Sequence, residues 1–110
     1  MHGERLLLRT GRTIAGGQFP DEWPCLSERC ARTLVGRGLR LLGVDAPSVD
    51  PRTSKTLAVH HMLFSSNAYI LENLDLRRVA PGQYELIALP LKYMALDAAP
   101  VRAVLRDTQG

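Results

Sequence analysis

LRLLGVDAPSVDP, residues 39–51, changes character in the middle. Its first half is short, almost continuously apolar and free of turn residues until Gly43, which reads as a buried β-strand over 39–45. Its second half is a loop punctuated by Pro47 and Pro51 and carrying Asp45, Ser48 and Asp50. Strands without polar alternation are those covered on both faces, as in the parallel sheets of α/β proteins. In such sheets, functional side chains gather on loops at the carboxyl ends of strands. GVDAPSVDP is a loop of that kind.

Working outward, GERLLLRTG (3–11) reads as a first buried strand, and a glycine- and proline-rich loop follows it. A helix begins after Ser27, its expected N-cap, with Cys30, Ala31, Leu34 and Val35 at helical spacing and Gly36 and Gly38 as stop signals. Beyond the quoted stretch, Ser54 is placed to cap a second helix through LAVHHMLF (57–64). AYILENL (68–74) reads as a third strand, PGQ (81–83) as a turn, and YELIALPL (84–91) as a fourth strand stopped by Pro90. The tail KYMALDAAPVRAVLRD (92–107) gives a loop, in which Asp97 reads as structural, and then a strand over VRAVL (101–105). The resulting order predicts an α/β fold, a mixed β-sheet with flanking helices. At 110 residues the chain is one domain at most.

Composition narrows the function. The apolar fraction of 45% and charged fraction of 23% are those of a globular protein. The net charge is +3, but the 14 basic residues are scattered among acids, and the few aromatics are not interleaved with them. Nucleic-acid binding is therefore not expected. No apolar run approaches 18 residues, so no membrane span is expected, and MHGERLLLRTG is no signal peptide. Cys25 and Cys30 form neither a C-x-x-C motif nor a disulfide framework. They read as reduced thiols of a cytoplasmic protein.

HHMLFSSNAYILE (60–72) begins with two histidines and ends on Glu72. Imidazole nitrogen and carboxylate oxygen both suit Zn²⁺ or Mn²⁺. Consecutive helical residues point about 100° apart, so only one of His60 and His61 can face a given ion. The alternative is an ordinary core histidine and a carboxylate ending a strand in water. Asp45, Ser48 and Asp50 could orient a ligand histidine from behind or satisfy only their own loop backbone. Ser48 lacks the G-x-S-x-G surroundings of a nucleophile. Glycines 11, 16 and 17 make no phosphate-binding pattern. Arg102 and Arg106 could grip a carboxylate, and Arg77 and Arg78 read as a solvated edge.

GLRLLGVDAPSVDP (38–51), SKT (54–56), the HH pair, ILENL (70–74) and YELIALPLKYMALDAAPVRAVLRD (84–107) together resemble the carboxy-terminal half of bacterial kynurenine formamidases. These are metal-dependent, cyclase-like amidohydrolases of a swivelling β/β/α-type domain. The resemblance runs from about Leu6 to Asp107, so the chain reads as a single partial domain over 1–110. It implies a hydrolase converting N-formyl-L-kynurenine and water to L-kynurenine and formate in tryptophan breakdown. It also implies a zinc site, binuclear in the family, with Mn²⁺ or another divalent ion as a substitute. The family's later ligands, a His and a Glu twelve residues apart, fall on His60 and Glu72. Its H-x-G-T-H-x-D ligand cluster and its general acid–base histidine have no counterpart here, where the histidines are His2, His60 and His61. No catalytic residue is therefore expected on this chain. The expected partners are a small-molecule substrate and either a second copy, since the family is typically homodimeric, or a complementing chain. The alternatives are a catalytically incomplete relative acting as an assembly module, and a cyclase-like amidase for another substrate.

Overall fold

A computed structural model of the chain describes residues 4–90 and 99–108. The chain divides into two compact units, Met1–Arg78 and Val79–Gly110. Within the first, strand β1 (Glu4–Leu8) is followed by a 3-10 turn, helix α1 (Glu28–Gly36), strand β2 (Leu39–Val44), helix α2 (Ala58–Ser65) and strand β3 (Tyr69–Leu71). The three strands form a parallel sheet in the order β1-β2-β3. The second unit is an antiparallel pair, β4 (Tyr84–Pro90) with β5 (Val101–Asp107). The α/β expectation holds, with parallel and antiparallel pairing in separate sheets. The expected loop over 92–98, Asp97 with it, and His2 lie outside the described residues.

β2 is the axis of the parallel sheet. Its register sets Leu6 beside Leu42, Leu8 beside Val44, and Leu42 beside Ile70. Side chains alternate between faces along a strand, so these residues share one face. With Ala31 of α1 and Val59 and Leu63 of α2 they build the core. Leu39 joins the same core although its number has the wrong parity. The pairing slips between Glu4 and Arg5, which lie opposite Leu39 and Leu41, so Arg40 is an extra residue. Such a bulge turns the strand by one position. On the opposite face Gly43 leaves no room for a side chain, since a Cβ there would collide with Leu7 and lie 2.9 Å from Leu74 Cδ1.

The helices start and stop for local reasons. Ser27 Oγ accepts the Cys30 N–H at 3.0 Å, the expected N-cap of α1, and Gly38 (φ 97°) takes the left-handed conformation that closes it. Ala31 of α1 is buried whereas Cys30 is exposed, at the edge of the apolar stripe. α2 departs from expectation. Leu57 occupies the capping position with φ 51° and offers no side-chain bond, and Ser54 Oγ instead accepts the Leu57 N–H. At its other end Asn67 (φ 62°) is left-handed, and the Ala68 and Asn67 N–H groups bond Leu63 O and Phe64 O. That is the Schellman arrangement. β3 is shorter than the expected strand. Asn73 (φ 60°) turns the chain, and the Asn73 and Leu74 N–H groups bond Ala46 O and Val44 O across the end of β2.

Candidate metal centre

The three parallel strands deliver their carboxyl ends to one edge, and the loop after β2 organises it. Asp45, 2% exposed, faces back toward β1. Its carboxylate accepts the Thr10 N–H and hydroxyl at 2.8 and 2.7 Å and the Gly11 N–H at 3.0 Å. Ser48 Oγ accepts the Asp50 N–H at 3.0 Å. Asp45 and Ser48 thus serve loop backbone, and Ser48 is engaged as a turn residue rather than a nucleophile.

Asp50, also 2% exposed, faces α2. Its two oxygens accept the Val59 and His60 N–H groups, each at 2.9 Å. This carboxylate therefore does what Leu57 cannot, satisfying orphan donors at the helix start and placing negative charge there. Sequence reading assigned that cap to Ser54, the nearer hydroxyl. Asp50 lies outside the usual capping window and is brought in by the loop. It is fixed by the Trp23 indole, whose N–H bonds Asp50 O at 3.0 Å. Burial pushes the Asp50 carboxyl toward a higher pKa. The two helix N–H groups and the His60 ring outweigh it, so the group sits below its ordinary value.

The same carboxylate reaches the His60 ring. Nδ1 lies 2.6 Å from Asp50 Oδ2, and Nε2 lies 2.8 Å from Glu72 Oε2. Glu72 follows β3, just before the left-handed Asn73, and its Oε2 also accepts the Val49 N–H at 3.0 Å. The structure thus brings together the imidazole and carboxylate singled out in the sequence. His61, one position along, is exposed. The donor set is the nitrogen and oxygen pair that suits zinc, and a histidine backed by a carboxylate is the usual form of a metal-binding imidazole. His60 and Glu72 therefore fit two positions of a metal site. Among the described residues no group of three His, Cys, Asp or Glu side chains is arranged to hold an ion.

Two of the other polar candidates are engaged elsewhere. Arg106 pairs with Glu85 across the β4–β5 hairpin at 2.8 Å, and Arg77 grips Asp75 through Nε and Nη2, both at 2.9 Å. Beside the site loop, a cavity of about 130 Å³ is lined mainly by Leu8, Pro24, Cys25, Leu42, Val44 and Val49. Burial raises the Cys25 thiol pKa, and the Asp50 charge adds to the effect. Cys25 and Cys30 are both free thiols. Among the described residues no helix is long and apolar enough to cross a membrane.

No protein-family model matches the chain. Individual relatives do. The chain is 53% identical over 103 residues to "Kynurenine formamidase" of Bacillus anthracis, covering 94% of this chain and 49% of that protein. It is 47% identical over 104 residues to the protein of the same name in Bordetella avium, covering 94% and 50%. Among solved structures, one described as a "predicted metal-dependent hydrolase" from Bacillus stearothermophilus superposes with a TM-score of 0.83 at 33% identity, over 96% of this chain and 50% of that one. A "potential metal-dependent hydrolase with cyclase activity" gives a TM-score of 0.80 at 31% identity, over 96% and 51%. The chain is thus a relative of bacterial kynurenine formamidases across 94% of its own length, and it spans about half the length of the curated relatives it matches.

Proposed function

We propose that these 110 residues are the carboxy-terminal half of a kynurenine-formamidase-type domain, in which His60 and Glu72 supply two ligands of a divalent metal site. The observation that carries this reading is the 2.8 Å approach of His60 Nε2 to Glu72 Oε2, with Nδ1 held from behind by Asp50. The likeness to proteins named kynurenine formamidase and to metal-dependent hydrolases supports the reaction class. The reaction is hydrolysis of the formyl amide of N-formyl-L-kynurenine to L-kynurenine and formate, in tryptophan breakdown. Zinc is the preferred ion for this donor pair, and manganese is compatible with it.

A divalent cation supplies Lewis acidity to the scissile carbonyl and to the attacking water. This chain's part is to hold ligands. Asp50 holds the His60 ring at Nδ1, and the Val49 N–H holds one Glu72 oxygen in place. A catalytic zinc takes three protein ligands as a rule. The remaining ligands and the general acid–base group therefore come from outside these residues, on the same polypeptide, a second copy or a complementing chain. The setting is cytoplasmic, as the free thiols suggest.

The test has two arms. Zinc is titrated into the purified chain and into His60→Ala and Glu72→Ala by calorimetry. Stoichiometric uptake that each substitution weakens by 10-fold or more supports the ligand assignment, and equal uptake by all three chains overturns it. Hydrolysis of N-formyl-L-kynurenine is then followed for the chain alone and with a polypeptide covering the other half of a relative. Metal-dependent turnover is expected only in the combination. Turnover in neither sinks the hydrolase reading and leaves an assembly module in its place.

A further inference from the structure

Asp50 is not one of the two donors, yet it is the group most firmly built into the site. One of its oxygens, Oδ2, receives both the backbone N–H of His60 at 2.9 Å and the ring Nδ1 at 2.6 Å. The other receives the Val59 N–H. The Asp50 N–H is tied to Ser48 and its carbonyl to Trp23, and the residue is almost fully buried. An ionised carboxylate only accepts, so the atom facing Asp50 is placed to donate as Nδ1–H, and Nε2 is likewise placed to donate to Glu72 Oε2 while no metal lies between them.

We propose that Asp50 is a positioning residue that holds His60 by its Nδ1–H and keeps that proton in the neutral ring, so that Nε2, aimed at Glu72, is the nitrogen left to take a metal. This inference rests on the reading of His60 and Glu72 as ligands. Competition comes from Glu72 itself, whose carboxylate would accept a proton from Nε2 equally well by chemistry. The geometry favours Asp50. Its Oδ2 is the nearer acceptor, and its position is set by five hydrogen bonds from the helix start, the His60 ring, Ser48 and Trp23. Glu72 is partly exposed, and one backbone N–H holds it. Because a single carboxylate caps α2 and orients the ring, the helix cannot start correctly without aiming its histidine.

Nitrogen-15 NMR of the His60 ring reports the tautomer directly. In the metal-free chain at alkaline pH, protonated Nδ1 and unprotonated Nε2 are expected. The Nε2–H tautomer in its place overturns the proposal. In Asp50→Asn the Nδ1–H preference should be lost, and zinc affinity should fall 10–100-fold, the usual effect of removing a group that orients a metal ligand. Ser27→Ala removes the cap of the other helix and controls for stability alone; it should move neither readout. An Asp50→Asn chain that keeps the tautomer and the affinity also overturns the proposal. If that variant does not fold, the wild-type spectrum decides. A chain that takes up no zinc but shows Nδ1–H instead defeats the ligand reading while the role of Asp50 stands.

Discussion

The two loop carboxylates and one hydroxyl after β2 show how little residue type says about residue role. Asp45 and Asp50 are both 2% exposed and both accept backbone N–H groups, but only Asp50 touches an imidazole. In the sequence the two were interchangeable, since choosing between them depends on which way the loop turns. The meeting of His60 and Glu72 was legible from the twelve-residue spacing only through resemblance. Periodicity cannot state that the chain leaving β3 turns back over β2. A simpler pair shows residue-scale electrostatics cleanly. Asp75 is exposed, and its hydrogen bonds to Arg77 hold its carboxyl at about 2, below the usual 3.8. A carboxyl depressed on folding contributes stability above its unfolded value, and that contribution disappears as pH falls through the folded one. Carbon-13 NMR should therefore place the Asp75 midpoint near 2, and Arg77→Ala should return it toward 3.8. Because the pair is solvent-exposed, global stability at neutral pH should hardly change in that variant. An Asp75 midpoint unmoved by the substitution would show that the guanidinium is not the cause.

At the scale of elements, the signals that worked were local and the ones that failed were not. Ser27 caps α1 three residues before the N–H it accepts, a pattern visible in any short window. Asp50 caps α2 from nine residues before Val59, and no window rule reaches that far. The end of α2 is local again. Asn67 is left-handed, and for a residue with a Cβ that conformation costs about 1–2 kcal/mol, less for Asn, which can bond locally. Asn67→Ala should therefore lower unfolding free energy by roughly 1 kcal/mol, and Asn67→Gly should not. Urea denaturation followed by circular dichroism separates the two. Equal losses in both would mean that the asparagine side chain, and not the backbone conformation, closes the helix. The parity of Leu39 was equally unreadable. Only the slipped pairing at Arg40 explains how Leu39, Leu42 and Val44 all enter one core.

For the molecule as a whole, the continuous apolar strands predicted cover on both faces, and the β4–β5 hairpin shows what lacks it. Along β4, Leu86 and Ala88 are half-buried and face Leu105 and Ala103. On the other face Ile87 is 39%, Leu89 60% and Val104 49% exposed. A two-stranded hairpin is marginal by itself in water, and adjoining apolar side chains on an open face favour association. The 110-residue chain should therefore show concentration-dependent sedimentation and bind an apolar dye such as ANS. Leu89 lies opposite Arg102 in the pairing. Leu89→Glu would set opposite charges across the strands, an arrangement that stabilises a pair by roughly 0.2–1 kcal/mol, while it removes the most exposed of the three apolar side chains. The hairpin should survive, and association and dye binding should both fall. Zinc uptake should stay as in the parent chain, because His60 and Glu72 belong to the other compact unit. Association unchanged by Leu89→Glu would mean that copies meet through a different surface, and the edge strands β1 and β3 of the parallel sheet would be the next to substitute.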